Sequence, residues 1–194
     1  PRDKLRVKTN RVGGSFGMKS APYPEYAPML VASKKLGRPV KWCDERSDSF
    51  LSDQHGRDGW AEVTLAFDAD AKLLGASITS HGNAGAYFSA VGPHMYTNNV
   101  RRNFPGVYRL PFLHARSFAV FTNTNPIGAF RGAGRPESIY YFERAIDLAA
   151  REMGIDCVEL RRRNILRPDE IPYMAAGGME YDSGDFPPVM GDAL

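Results

Sequence analysis

The sequence contains few of the residues and patterns that mark several common classes of protein. Only two cysteines, Cys43 and Cys157, occur among the 194 residues, and they do not form a C-x-x-C pair. They therefore predict neither a disulfide framework nor a zinc site, and they favour a reducing, cytoplasmic compartment. No apolar run approaches the roughly 20 residues that cross a bilayer, so we predict no membrane span.

Charge is also sparse and evenly spread. The net charge is +3, and apart from the run Arg161 to Arg163 the basic residues are scattered. A nucleic-acid-binding protein usually has a denser basic face, so we predict no nucleic-acid partner. The four histidines lack metal-ligand spacing, so no protein-ligated metal is predicted. With 43% hydrophobic and 24% charged residues, the composition is that of a globular protein.

The hydrophobic pattern predicts an α+β fold in two layers. Alternation predicts strands over residues 5–12, 40–46 and 113–122, and a hairpin that begins near Asp58 and turns at residues 68–71. Helices are predicted over residues 24–36, from Pro136 to Gly154, and over 157–166, while residues 173–185 are loop-like. The apolar stripe of the long helix comprises Ile139, Phe142, Ile146, Ala150 and Met153.

Two glycine-rich loops are candidate binding sites, and neither has a standard nucleotide signature. The first, RVGGSFGMK at residues 11–19, lacks the G-x-G-x-x-G spacing and has Met18 where a P-loop has lysine. Its free N–H groups could hold an anion or a polar ring, but a tight turn that binds nothing is the alternative. The other, GAFRGAGRPE at residues 128–137, combines Arg131 with a helix start. This favours an anionic ligand or a developing oxyanion, with a structural arginine–carboxylate pair as the alternative.

The order of the longer motifs carries a resemblance to a known family. GGSFGMK, GNAGAY, TNTNPIGAFRGAGRPE and ERAIDLAAREMGIDCVELRRRNIL follow one another between residues 5 and 166. Together they resemble the molybdenum-cofactor-binding large subunit of the molybdenum hydroxylases, the xanthine dehydrogenase, aldehyde oxidase and carbon monoxide dehydrogenase family. The resemblance implies a molybdopterin-binding domain over residues 1–166 and a loop-rich segment over 167–194. We expect the chain to be an internal part of a larger subunit.

The resemblance also assigns roles to individual residues. It implies that Gly14, Phe16, Gly17 and Met18 line the molybdopterin. It implies further that the backbone of Gly132, Ala133 and Gly134 approaches the dithiolene and pterin. Arg131 is the implied catalytic residue, facing the substrate side of molybdenum and stabilising charge that develops on the substrate.

The activity implied for the full-length parent is oxidation of an aldehyde or N-heterocycle, by water-derived hydroxylation and hydride transfer to molybdenum. The implied cofactor is molybdenum–molybdopterin cytosine dinucleotide, with [2Fe–2S] and FAD on partner subunits in a dimer of heterotrimers. This chain alone is expected to be inactive, because the family's general-base glutamate has no counterpart in it.

Two departures from the family pattern bear on the substrate. Gly132 stands where carbon monoxide dehydrogenases have a copper-binding cysteine, and Ser20 stands where purine-oxidising relatives have a glutamate. The alternatives are a carbon monoxide dehydrogenase-like or xanthine dehydrogenase enzyme, and a non-catalytic packing or assembly module with structural glycine loops.

Overall fold

A computed structural model describes residues 2–194 and shows helices mixed with strands along the chain. The α+β prediction is confirmed. The helices of the first two thirds are α1 (Tyr26–Leu36), α2 (Arg46–Ser52), α3 (Gly92–His94) and α4 (Val100–Asn103), with a π-helical turn over Met95–Asn99. Those of the last third are α5 (Arg135–Met153), α6 (Cys157–Asn164) and α7 (Phe186–Asp192). Short 3₁₀ turns occur at Arg2–Lys4, Met18–Ser20 and Pro168–Glu170.

The main sheet has three strands in the order β1 (Gly59–Phe67), β2 (Leu73–Gly85) and β3 (Phe112–Phe121). The predicted hairpin is confirmed as the antiparallel β1–β2 pair, and β3 runs parallel to β2. At the hairpin turn the Asp68 carboxylate accepts hydrogen bonds from the N–H groups of Asp70 and Lys72. This side chain replaces backbone partners at the turn, as aspartate commonly does.

Helix α5 covers one face of this sheet and forms the second layer. Its buried residues Phe142, Ile146 and Ala150 recur at the helical spacing and pack with sheet residues such as Ile78 into the main core. The predicted ends of the stripe, Ile139 and Met153, are 49% and 38% exposed instead. The apolar stripe is longer than the surface that covers it, so only its middle is buried.

The predictions for the first 60 residues are partly wrong. Helix α1 and its left-handed C-cap at Gly37 agree with the pattern. The strands predicted over residues 5–12 and 40–46 do not form, so the apparent β-α-β unit is absent. A strand requires a neighbouring strand for its hydrogen bonds, and none pairs with either segment among residues 2–194.

The last 28 residues contain more regular structure than the loop-like pattern predicted. Two short strands, β4 (Tyr173–Met174) and β5 (Glu180–Tyr181), pair in antiparallel fashion and are followed by α7. Across residues 2–194, no helix combines the length and the apolar character needed to traverse a bilayer.

Candidate functional site

The two candidate glycine-rich loops, residues 11–19 and 128–137, are in direct contact although more than 100 positions separate them in sequence. The Arg131 N–H donates a hydrogen bond of 3.0 Å to the Phe16 carbonyl. A Cβ built on Gly17 would lie 3.0 Å from the Ala129 carbonyl oxygen, so the two backbones approach at a distance that only glycine permits. The structure thus brings together the residues for which the resemblance implied a common ligand.

The loop at residues 128–137, hereafter the arginine loop, has an unusual backbone. Gly132, Ala133 and Gly134 adopt φ values of +98°, +43° and +94°. Successive residues of this kind are costly, and in proteins they persist where the surroundings hold them, often at binding sites. Helix α5 begins at Arg135, immediately after this turn, so its positive N-terminal end adjoins the loop.

Two of the unused N–H groups of the arginine loop lie in its positive-φ turn. The N–H of Arg131 bonds to Phe16, that of Ala133 to Phe130 and that of Arg135 to Gly132. By contrast, no hydrogen bond within residues 2–194 uses the N–H groups of Gly132 and Gly134. Backbone donors in such a turn are typical of sites for anions or for ring acceptors.

Another glycine-rich stretch, residues 81–93, is hydrogen-bonded to the residues that precede the arginine loop. Ser89 donates its hydroxyl proton to the Ile127 carbonyl at 2.8 Å, and the Ala86 N–H bonds to Thr124 at 2.9 Å. Ile127 is fully buried with Met95 and Tyr96, and Ala129 and Ala133 pack against this small core. The role of this stretch is therefore to hold the loop that precedes Arg131.

The first loop has its own left-handed turn. Gly14, Phe16 and Gly17 have φ values of +107°, +54° and +89°, and Met18 begins the short 3₁₀ turn that follows. The Gly17 N–H donates to the Ser15 hydroxyl at 3.3 Å, and Ser20 donates its hydroxyl proton back to the Gly17 carbonyl at 2.6 Å. The side chains of Ser15 and Ser20 thus stabilise this turn through the backbone of Gly17.

The Arg131 side chain does not form the structural arginine–carboxylate pair that the sequence left open. It is exposed, it lies over the Phe16 ring at 5.7 Å, and no carboxylate in residues 2–194 forms an ion pair with it. The alternative of a structural arginine–carboxylate pair is realised by a different arginine. Arg57 lies 3.7 Å from the Glu137 carboxylate at the start of α5.

Arg57 and Glu137 are site residues that sequence reasoning missed or interpreted differently. Arg57 Nη2 donates to the Phe130 carbonyl at 3.1 Å and also to the Arg131 carbonyl. Glu137 is 8% exposed, and neither carboxylate oxygen accepts a hydrogen bond from residues 2–194. The sequence around Arg57, QHGRDG, has no spacing that links it to the arginine loop.

The carboxylates of Glu137 and Asp58 affect the pKa of the buried Tyr96. Burial, together with the negative charges of Glu137 and Asp58, raises the pKa of Tyr96 to about 12 against the opposing effect of a hydrogen bond from the Asp58 N–H. That N–H donates to the Tyr96 hydroxyl at 3.2 Å. Tyr96 is therefore a neutral, fixed support at physiological pH.

A cleft of about 410 Å³ borders both loops, with Met18, Arg57 and Phe130 in its wall. Its volume lies in the range of sites for small organic ligands. A larger cleft of about 640 Å³ lies between β1 and α5, but none of the predicted site residues line it. Among residues 2–194 no group of three His, Cys, Asp or Glu side chains is arranged to bind a metal ion.

The donors of the site suit a ligand with anionic or ring acceptor atoms. Gly132 and Gly134 offer N–H groups, Arg131 offers a free guanidinium, and the glycines leave space for close approach. Molybdopterin has anionic sulfur in its dithiolene and hydrogen-bond acceptors in its pterin ring, so the residues present fit this group.

Comparisons with known proteins agree with this geometry. The family described as "Molybdopterin cofactor-binding domain" matches residues 1–165. The chain is 36% identical over its full length to the 6-hydroxypseudooxynicotine dehydrogenase complex subunit gamma of Paenarthrobacter nicotinovorans, covering 25% of that protein. It is 35% identical to the carbon monoxide dehydrogenase large chain of Hydrogenophaga pseudoflava, over 96% of this chain and 23% of the relative.

Solved structures show the same fold. Reconstituted CO dehydrogenase from Oligotropha carboxidovorans superposes with a TM-score of 0.88 at 34% identity, over all of this chain and 24% of that one. Quinoline 2-oxidoreductase from Pseudomonas putida 86 gives 0.85 at 34% identity, over 93% of this chain and 23% of that one. The chain spans about a quarter of the length of these relatives. On the evidence of motif order, loop geometry and similarity together, this chain belongs to the molybdopterin cofactor-binding domain family of molybdenum hydroxylase large subunits.

Proposed function

We propose that this chain forms part of the cofactor and substrate site of a molybdenum hydroxylase that oxidises an aldehyde or an N-heterocycle. One observation carries the proposal. The arginine loop presents the unused N–H groups of Gly132 and Gly134 beside the unpaired Arg131 guanidinium, and its backbone is bonded to Phe16 of the first loop. A purely structural turn has no need for free donors and a free cation at one place.

Each predicted site residue has a role in this proposal. Gly14, Phe16, Gly17 and Met18 form one wall of the cofactor site, and Gly132, Ala133 and Gly134 form the other. The bound molybdenum cofactor supplies a two-electron oxidation in which water provides the oxygen atom. Arg131 orients the substrate and stabilises the negative charge that develops on it, since a guanidinium is charged at all working pH values.

Two local features argue against two of the alternative substrates. At Gly132 a Cβ would lie 2.7 Å from the Pro136 ring, and φ is +98°, so a cysteine side chain for copper is not accommodated. This argues against the carbon monoxide dehydrogenase-like alternative. Ser20 uses its hydroxyl proton on the Gly17 carbonyl and carries no charge, which argues against purine recognition.

The names of the relatives support nitrogen heterocycles as substrates. They include quinoline 2-oxidoreductase and nicotine 6-hydroxylase large subunit, whose names specify N-heterocycles. The words "subunit gamma" and "large chain" in other names describe parts of multi-subunit complexes. We propose accordingly an iron–sulfur subunit and an FAD subunit as partners, the cytosine dinucleotide form of the cofactor, and a cytoplasmic location.

The test is substitution of Arg131 in the full-length protein within its complex. Arg131→Ala should lower turnover per bound molybdenum by roughly 10²–10³-fold, the usual effect of losing one electrostatic contact to a developing charge. The melting temperature should stay within about 2 °C of the wild type, because the side chain is exposed and unpaired. Arg151→Ala, on the exposed end of α5, is the matched control.

The outcome separates the enzyme from the non-catalytic module. Unchanged turnover in Arg131→Ala, or a complex without molybdenum and releasable cytidine nucleotide when produced in a host that makes the cofactor, would contradict the proposal. A fall in stability with unchanged turnover would instead indicate that the loops are structural.

A further inference from the structure

We propose that Arg57 and Asn99 are positioning residues that aim the free N–H groups of Gly132 and Gly134 at the cofactor. The inference rests on the proposed function and adds two residues to its site. Both side chains come from outside the loop, and each bonds to a loop carbonyl whose own peptide unit carries one of the free N–H groups.

The argument for Arg57 begins with the geometry of the peptide unit. The carbonyl of one residue and the N–H of the next lie in one plane and point in opposite directions. Arg57 Nη2 donates to the Arg131 carbonyl, so it determines the direction of the Gly132 N–H. The same Nη2 atom donates to the Phe130 carbonyl, whose peptide unit carries the N–H that bonds to Phe16.

Asn99 acts on the neighbouring free donor in the same way. Its Nδ2 donates to the Ala133 carbonyl at 2.8 Å, and the N–H of that peptide unit belongs to Gly134. Asn99 ends the π-helical turn that packs under the loop, and a Cβ on Gly134 would approach the Asn99 Cβ to 3.0 Å. Such a Cβ would come closer still to the Met95 carbonyl oxygen, so the π-helical turn packs directly against the Gly134 backbone.

Arg57 is itself held in place by two contacts. Its guanidinium lies 3.7 Å from the buried Glu137 carboxylate and 5.7 Å from the centre of the Phe130 ring. Its own backbone has φ of +57°, a conformation that non-glycine residues rarely adopt. A strained residue with a buried counter-ion is the kind of feature that positions a functional site.

The loop depends on such external bonds because its backbone conformation is unfavourable. Gly132, Ala133 and Gly134 are all left-handed, and glycine also gains the most freedom when released. Without the bonds from Arg57 and Asn99, the peptide units on either side of Gly132 and Gly134 can rotate. The free N–H groups then lose their common direction, and the cofactor loses two aligned donors.

The experiment measures retention of molybdenum by the full-length complex. Arg57→Met removes the donors but keeps an apolar chain on the Phe130 ring, and Arg57→Lys restores the charge and one donor group. Arg116→Met is the matched control, since Arg116 lies over the Phe118 ring at 5.5 Å without contact to the loop. Asn99→Asp replaces the amide donor by an acceptor, and Asn98→Asp makes the same change one residue away.

The measurements are the rate of molybdenum release, the melting temperature, and kcat and KM per retained molybdenum. We expect Arg57→Met and Asn99→Asp to release molybdenum at least tenfold faster than the wild type, equivalent to about 1.4 kcal/mol. Arg57→Lys should recover part of the loss. Both controls should release molybdenum at the wild-type rate.

The melting temperature and kinetics distinguish positioning from simple stabilisation. With positioning, kcat per retained molybdenum falls in Arg57→Met and in Asn99→Asp while KM changes little. The melting temperature of the cofactor-free complex changes little in Asn99→Asp but falls in Arg57→Met, because that variant leaves the buried Glu137 carboxylate without its counter-ion. Release rates within twofold of the wild type in Arg57→Met and Asn99→Asp would overturn the inference. So would a loss of molybdenum that follows the melting temperature equally in all variants.

The proposed function and the positioning roles of Arg57 and Asn99 can fail independently of each other. If Arg131→Ala lowers turnover while both positioning variants retain molybdenum normally, the function stands and only the positioning roles are wrong. A wild-type complex without molybdenum overturns both. If Arg57→Met does not fold, the comparison of Asn99→Asp with Asn98→Asp decides.

Discussion

Replacement of Gly132 by alanine tests whether the arginine loop is held as tightly as its contacts imply. Gly132 has φ of +98°, and a Cβ there would lie 2.7 Å from the Pro136 ring. Gly106 provides a matched control, because its φ is +83° and a Cβ there would meet no atom within 4 Å. Comparison of Gly132→Ala with Gly106→Ala therefore separates the cost of the left-handed backbone from the cost of the contact with Pro136.

The expected magnitudes follow from these two components. A left-handed alanine costs about 1–2 kcal/mol, so Gly106→Ala should lower the free energy of unfolding by about that amount. Gly132→Ala adds an overpacking cost of about 1–3 kcal/mol against the rigid proline ring, for a total of about 2–5 kcal/mol. Because the adjustment also moves the Gly132 N–H, Gly132→Ala should retain less molybdenum than Gly106→Ala.

The assay is denaturant unfolding of the purified full-length protein, with molybdenum content measured on the same samples. Equal losses of stability at the two positions would refute the reasoning, because they would mean that the contact with Pro136 is relieved without cost. Normal molybdenum content in Gly132→Ala would likewise show that the direction of this N–H is unimportant.

Two further predictions concern the support of the fold. Asn164→Ala should lower the free energy of unfolding by about 3 kcal/mol, at about 1 kcal/mol for each of three buried hydrogen bonds, and thermal unfolding with Asn164→Asp for comparison checks it. Those bonds join the side chain to the Leu73 N–H and to the carbonyls of Ala71 and Leu160. For Tyr96, the folded pKa of about 12 lies above the usual 10, so its contribution to stability is complete below pH 10 and is lost as pH rises toward 12. The unfolding midpoint should therefore fall more steeply between pH 10 and 12 in the wild type than in Tyr96→Phe, and parallel curves would contradict this.

The elements predicted well are those with complete local signals. The hairpin turn is closed by the Asp68 carboxylate within four residues, and helix α5 ends at Gly154, whose φ of +65° suits glycine. Helix α6 begins at Asp156, whose carboxylate accepts the N–H groups of Val158 and Glu159. In each case the residues that determine where the turn or helix begins or ends are neighbours in sequence.

The failed strand predictions have the opposite cause. Residues 5–12 and 40–46 have strand-like composition, but a strand exists only where another strand offers hydrogen-bond partners. Among residues 3–58 no residue is fully buried, as the exposure of Val7 and Phe50 illustrates. Alternation of residue types describes a face that could be buried, and it says nothing about what covers that face.

The candidate site was predicted only in part. The motifs indicated Arg131 and the two glycine loops, and the structure brings these loops into contact through the Phe16 carbonyl. The motifs did not indicate that the arginine–carboxylate pair at the start of α5 is formed by Arg57 with Glu137 instead of by Arg131. Arg57 lies 74 positions before Arg131, and Asn99 lies 34 positions before Ala133, so no local spacing marks either residue.

The sequence by itself determined the order of motifs, the helix ends, the hairpin and the family, because each depends on residue type over a short span or on their order along the chain. Only the tertiary structure decided which segments pair, which arginine is neutralised, and which carbonyls are held by Arg57 and Asn99. These properties depend on distances between remote parts of the chain. A hydrogen bond or ion pair requires atoms within about 4 Å, and sequence separation does not specify that distance.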